Sequence, residues 1–147
     1  MAHNRIIEAT WDPETHTSTV VKSSQYGTFT RSVVCDEQDF DIENRWDGCN
    51  IAESKCDRAI QETKVKDMYS RWKEAGHIYY VLCGQSDSKY TQDCDFAKDL
   101  YRMVINARNQ YYSEKKKLEL MNKSIGSNVH WLAEQRRKWR SAAQNKK

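Results

Sequence analysis

The chain has 147 residues, of which 38% are apolar and 31% charged, with one proline, five glycines and a formal net charge of +3. Such a length suits one domain, or one arm of an oligomer, and the apolar content is thin for a thick sandwich. Long helices sharing a narrow core fit this composition better, and the few helix breakers agree. Residues 1–60 carry 11 Asp and Glu against 6 Lys and Arg, whereas the remainder carries 10 against 18. A basic second part points to an anionic ligand more than to duplex DNA, which calls for a broader basic surface.

The first third reads as strand. "NRIIEATW" is rich in β-formers, "DPET" places Pro13 at the second position of a turn, and "HTSTVVKSS" carries a β-branched run. "YGTFTRSVV" alternates Tyr26, Thr28 and Thr30 with Phe29, Arg31 and Val33. Three such strands over 1–35 predict an antiparallel meander that needs a helix or a partner on its apolar face.

The acidic stretch "CDEQDFDIENRWDG" follows. Asp36 is placed to cap a helical turn, with Glu37 and Asp39 at its positive end. Gly48 is expected to bend the chain before a long helix with Ala52, Cys56 and Ala59, then Met68, Trp72, Ala75, Tyr79 and Leu82, on one face. The second set steps by four and three, the spacing of a coiled-coil seam, and Gly84 ends it, so this element belongs to 36–84.

A second helix is expected from about Gln92 with Phe96, Leu100, Met103, Ala107, Tyr111, Glu114, Leu118 and Met121 on its seam, Glu114 being the one polar break. "NKSIGSN" should break it, with Gly126 as stop and Ser127 as the next cap. A third helix would then place Val129, Leu132, Arg136, Trp139 and Ala143 in line, completing 91–144. The reading is α+β: a small N-terminal antiparallel β-sheet followed by two or three long α-helices, one domain over 1–147, assembling as a homodimer or higher oligomer.

Arg136 lies on that seam and Arg140 one turn beyond it, so two guanidiniums share a helix face and repel unless an anion joins them. The anion is either ligand phosphate, which guanidinium grips bidentately, or a carboxylate of a neighbouring chain; the plainer alternatives are a salt bridge to the acidic "DEQDFDIE" stretch and an arginine snorkelling at a frayed seam end. Arg137 and Lys138 should face solvent. Arg108, Tyr111 and Tyr112 could supply a stacking face beside a cation, although Tyr111 on the seam also fits plain core. The five cysteines have no C-x-x-C spacing and no histidine at metal-ligand spacing, which predicts reduced thiols, no metal and a cytoplasmic location, with Cys56 a small core residue. No apolar run reaches membrane-spanning length. Glycine-rich phosphate loops, activated nucleophiles and paired histidines are missing from the sequence, so a binding protein without catalytic residues or cofactor is expected.

One stretch is more specific. "GTFT" at Gly27–Thr30, the acidic "EQDF" at Glu37–Phe40 and "GCNIAE" at Gly48–Glu53 resemble, in that order, the G-T-F-T strand, E-D-x-D-F turn and G-x-x-I-A-E helix start of a family of small phage and prophage proteins. That family contains the first-described Thoeris anti-defence protein. The match spans under a third of the chain, and the chain departs from the pattern at Arg31, in the proline-free acidic turn and in its five tryptophans. The resemblance implies a phage protein in the infected bacterial cytoplasm that sequesters a cyclic nucleotide immune signal, a cyclic ADP-ribose isomer made by TIR-domain enzymes. It implies Arg136 and Arg140 on the phosphates and Tyr112, or else Tyr111, on the base. The competing readings are an inhibitor of a bacterial defence nuclease such as a CRISPR effector, and a nucleic-acid-binding phage accessory protein using the basic tail.

Overall fold

A computed structural model of the chain describes residues 4–84, 90 and 94–145. Strands β1 (Arg5–Asp12), β2 (Thr17–Ser24) and β3 (Gly27–Val34) form one antiparallel sheet in that order. A 3-10 helix (Glu37–Ile42) leads to helix α1 (Arg45–Tyr79), which runs into a π-helical segment (Tyr80–Gly84), and helix α2 spans Asp95–Asn145. The expected α+β order is therefore present, with two α-helices among the described residues. Two compact units divide the chain: Met1–Ile60 with Leu120–Lys147, and Gln61–Glu119.

Local chemistry sets both sheet turns. In the first, Asp12 Oδ1 accepts from the Glu14 amide at 2.9 Å, and His16 takes a left-handed φ of 53°. The second needs its glycine, because Gly27 sits at φ 119°. Ser24 Oγ closes this turn by accepting from Tyr26 N and donating to Gly27 O.

The core of the first unit lies between β2 and the start of α1. Ser18, Val20 and Lys22 alternate inward on β2, and α1 offers them Gly48, Ala52 and Cys56, one turn apart. Val20, Ala52 and Cys56 are buried, with Val33 and Cys49 packed around them. Cys56 is a core thiol, as its position in the apolar stripe requires, and its Sγ–H meets Val20 O at 3.4 Å. The buried Lys22 ammonium pairs with Glu53 at 3.0 Å and Asp57 at 2.7 Å, again one turn apart.

Gly48 does not bend the chain before the helix. It lies inside α1, whose start at Arg45 is capped by Asn44 Oδ1 accepting from Trp46 N at 2.9 Å. The glycine is there for contact: a Cβ at this position would fall 2.2 Å from Ser18 Oγ and 2.9 Å from Ser18 Cβ.

In the second unit Met68 is buried and Trp72, Ala75 and Tyr79 are half-buried, as the seam predicts. The π-helical segment then adds a residue to the turn and moves the buried position from Leu82 to Cys83. On α2 the inward positions are Ala97, Leu100, Val104, Ala107, Tyr111, Glu114 and Leu118, while Phe96 and Met103 are exposed. Both phases of the first two turns carry apolar residues, so spacing alone could not choose between them. Gln61 answers the polar break by donating to Glu114 Oε2 at 2.7 Å and to its carbonyl at 2.9 Å.

The expected break at "NKSIGSN" is absent, and α2 continues through Gly126 to Asn145. One glycine weakens a helix by about 1 kcal/mol relative to alanine, which neighbouring turns can absorb.

Gly48→Ala should lower stability by about 1–3 kcal/mol through overpacking against β2. Urea unfolding should show recovery in the Gly48→Ala/Ser18→Gly double variant, which clears both close contacts. An unchanged midpoint in the single variant would mean that α1 has no need of this close approach.

Candidate functional site

Residues 133–140 of α2 lie in the first unit and meet its acidic segment. Arg136 Nη2 and Nε donate to Asp47 Oδ2 at 2.6 and 2.9 Å. Arg137 spans both oxygens of Asp39, at 3.3 and 3.1 Å, and Arg140 Nη2 reaches Asp39 Oδ1 at 2.7 Å. Arg140 Nε lies 3.0 Å from Asp41 Oδ2, an electrostatic contact whose direction does not make a hydrogen bond. The carboxylate alternative thus describes Arg140, whose partners fall in the "DEQDFDIE" stretch, and Arg136 uses Asp47 just beyond it. Arg137 is not the solvated neighbour expected of it, since it pairs with Asp39 while half-exposed.

The acidic segment is fixed from its other side by the sheet. Asp36 caps the 3-10 helix by accepting from Gln38 N at 3.2 Å. Trp11 Nε1 donates to Glu43 Oε1 at 3.0 Å, His16 Nδ1 meets Glu43 Oε2, and the His16 ring stacks on Phe40 at 3.6 Å. Burial would raise the Glu43 carboxyl, but the bonds from His16 and Trp11 outweigh it and hold its pKa below the ordinary value. At Asp39 the hydrogen bond from Arg137 lowers the pKa, burial opposes it, and Arg140 adds to the lowering.

The other expected residues, Arg108, Tyr111 and Tyr112, lie in the second unit. Tyr111 stacks on Trp72 of α1 with ring centroids 5.6 Å apart and 28° between planes. Tyr112 packs against the same indole at 5.8 Å, and Tyr69 approaches Tyr111 at 5.3 Å. Tyr111 is half-buried, which fits the core reading, whereas Tyr112 is 52% exposed. Lys73 Nζ lies 5.3 Å from the ring centres of Tyr69 and Trp72, and Lys115 Nζ 5.9 Å from that of Tyr111. Arg108 is exposed one turn before the tyrosines. Among the described residues none of these three cations has a carboxylate partner within ion-pair distance. Sequence reasoning missed Tyr69, Trp72, Lys73 and Lys115; aromatic residues three apart followed by a lysine, on the helix facing Tyr111, were the available signal.

Among the described residues no group of three or more His, Cys, Asp or Glu side chains could hold a metal ion, and no helix is long and apolar enough to cross a membrane.

The Asp39 cluster has a testable acid signature. Its folded pKa lies below the unfolded one, so its stabilisation is complete above the ordinary aspartate range and is lost as pH falls through the lower folded value. Asp39→Asn should lower the urea midpoint at neutral pH and flatten the stability loss between about pH 5 and pH 2. An acid limb identical to that of the unaltered chain would remove Asp39 as its source.

No family model, curated protein or solved structure matches this chain.

Proposed function

We propose that this chain is a phage anti-defence protein that binds and sequesters, without cleaving it, a cyclic nucleotide immune signal of the cyclic ADP-ribose isomer class. In this reading it acts as a homo-oligomer in the cytoplasm of the infected host. The observation that carries the binding reading is the aromatic surface of Tyr69, Trp72, Tyr111 and Tyr112, with Lys73, Lys115 and Arg108 beside it and, among the described residues, no carboxylate within ion-pair distance of them. Rings of this kind stack a base, and unpaired cations take the phosphates. Arg136 and Arg140 are less available, because Asp47, Asp39 and Asp41 already occupy them. The ligand class itself comes from the sequence resemblance at Gly27–Thr30, Glu37–Phe40 and Gly48–Glu53.

Heat release and mass spectrometry, after incubation with the product of a TIR-domain enzyme, should recover the cyclic ADP-ribose isomer. In calorimetry Tyr112→Ala should weaken binding about tenfold, since stacking one base contributes roughly 1–3 kcal/mol. Arg140→Ala should lower stability yet leave affinity within a factor of two or so. Absence of both released ligand and binding heat would discard the reading; loss of binding in Arg140→Ala alone would move the site to the arginines. Light scattering should give a multiple of 17.3 kDa, and a monomer would remove the assembly from the proposal.

A further inference from the structure

The last part of α2 contains a glycine that packing does not require. Gly48 has Ser18 against it, but a Cβ at Gly126 would meet nothing within 4 Å. A helix-interior glycine with open space around it weakens the helix for no gain in contact. Ser124, Ser127 and Asn128 surround it, residues whose side chains compete with helical backbone bonding. Asn128 Nδ2 turns to Ser124 Oγ at 3.4 Å, tying the segment to itself. By propensity, 124–128 is the weakest stretch of α2.

Beyond this stretch the helix is lightly held. Among the described residues 127–145 none is buried, and Trp131 and Trp139 are more than half exposed. An open cleft of about 310 Å³ containing Val33, Ile51, Val129 and Leu132 lies on one side of the seam with α1. A second, of about 210 Å³, contains Ile51, Ile125, Trp131 and Leu132. Packing so incomplete gives little apolar stabilisation. What remains are the contacts of Arg136 with Asp47, Arg137 with Asp39, and Arg140 with Asp39 and Asp41, all partly open to water.

We propose that residues 127–145 form a hinged arm: α2 opens at Ser124–Asn128, and these arginine–aspartate pairs are the catch that holds it closed. Opening bares the apolar floor of the cleft at Val33 and Ile51 and frees the carboxylates of the 3-10 segment together with three guanidiniums. The arm belongs to the first unit and the aromatic residues of the proposed ligand site to the second, and the test uses no ligand.

Hydrogen exchange of the full chain, read by mass spectrometry at neutral pH, decides the matter. Amides of 127–145 should exchange together at least tenfold faster than those of the core turns around Ala52 and Cys56, with a step in protection at 124–128. Gly126→Ala should slow arm exchange about fivefold, the equivalent of about 1 kcal/mol. High salt and Arg140→Gln should each speed it, because both weaken the catch. A gradual loss of protection running back from Asn145, without a step, is end fraying and would overturn the proposal. So would an unaltered arm rate in Gly126→Ala or in Arg140→Gln.

Discussion

The first unit depends on one close approach, that of α1 to the middle strand of the sheet at Gly48 and Ser18. A three-stranded sheet is marginal in water until one face is covered. Only a helix with small residues at one-turn intervals can lie close enough to place Cys56 Sγ 3.4 Å from Val20 O. The same register brings Glu53 and Asp57 to Lys22, so a buried ammonium is answered rather than stranded. It also sets the direction in which Asp47, one residue before Gly48, meets Arg136.

From this contact outward, the balance of forces changes from packing to charge. The 3-10 helix is positioned by polar groups on both sides, Trp11 and His16 on Glu43, Arg137 and Arg140 on Asp39. Partly exposed ion pairs are individually weak, and a network sharing one carboxylate gains more from geometry than from number. Such a network holds a segment in place without fixing it as firmly as a core would.

The second unit solves a different problem. Its seam is apolar except at Glu114, and a carboxylate there is tolerable because Gln61, Lys64 and Lys117 surround it. Burial would raise its pKa, yet these bonds and charges leave it lowered. A polar layer of this sort specifies register, since any slip would strand Gln61 and Glu114 unpaired. The aromatic cluster follows from that register, because Trp72 must face Tyr111 for the rings to stack. Among the described residues no carboxylate lies within ion-pair distance of Lys73 or Lys115 beside those rings.

Much of this was legible in the residues themselves. Strand alternation and turn chemistry marked the meander, and helical spacing put Ala52, Cys56 and Ala59 on the buried face and Arg136 with Arg140 on a shared one. These features follow from periodicity and local sterics, which a single element carries within itself. Only tertiary structure decided what each face meets. Gly48 and Gly126 look alike in sequence, yet one lies against Ser18 and the other against nothing. Phe96 and Ala97, or Met103 and Val104, serve either phase of a seam until α1 selects one. Arg136 and Arg140 take separate carboxylates of the same chain, Asp47 at the start of α1 and Asp39 of the 3-10 segment, which the sheet holds within reach of Arg140. Partner choice is a property of distance in space, and spacing along the chain does not contain it.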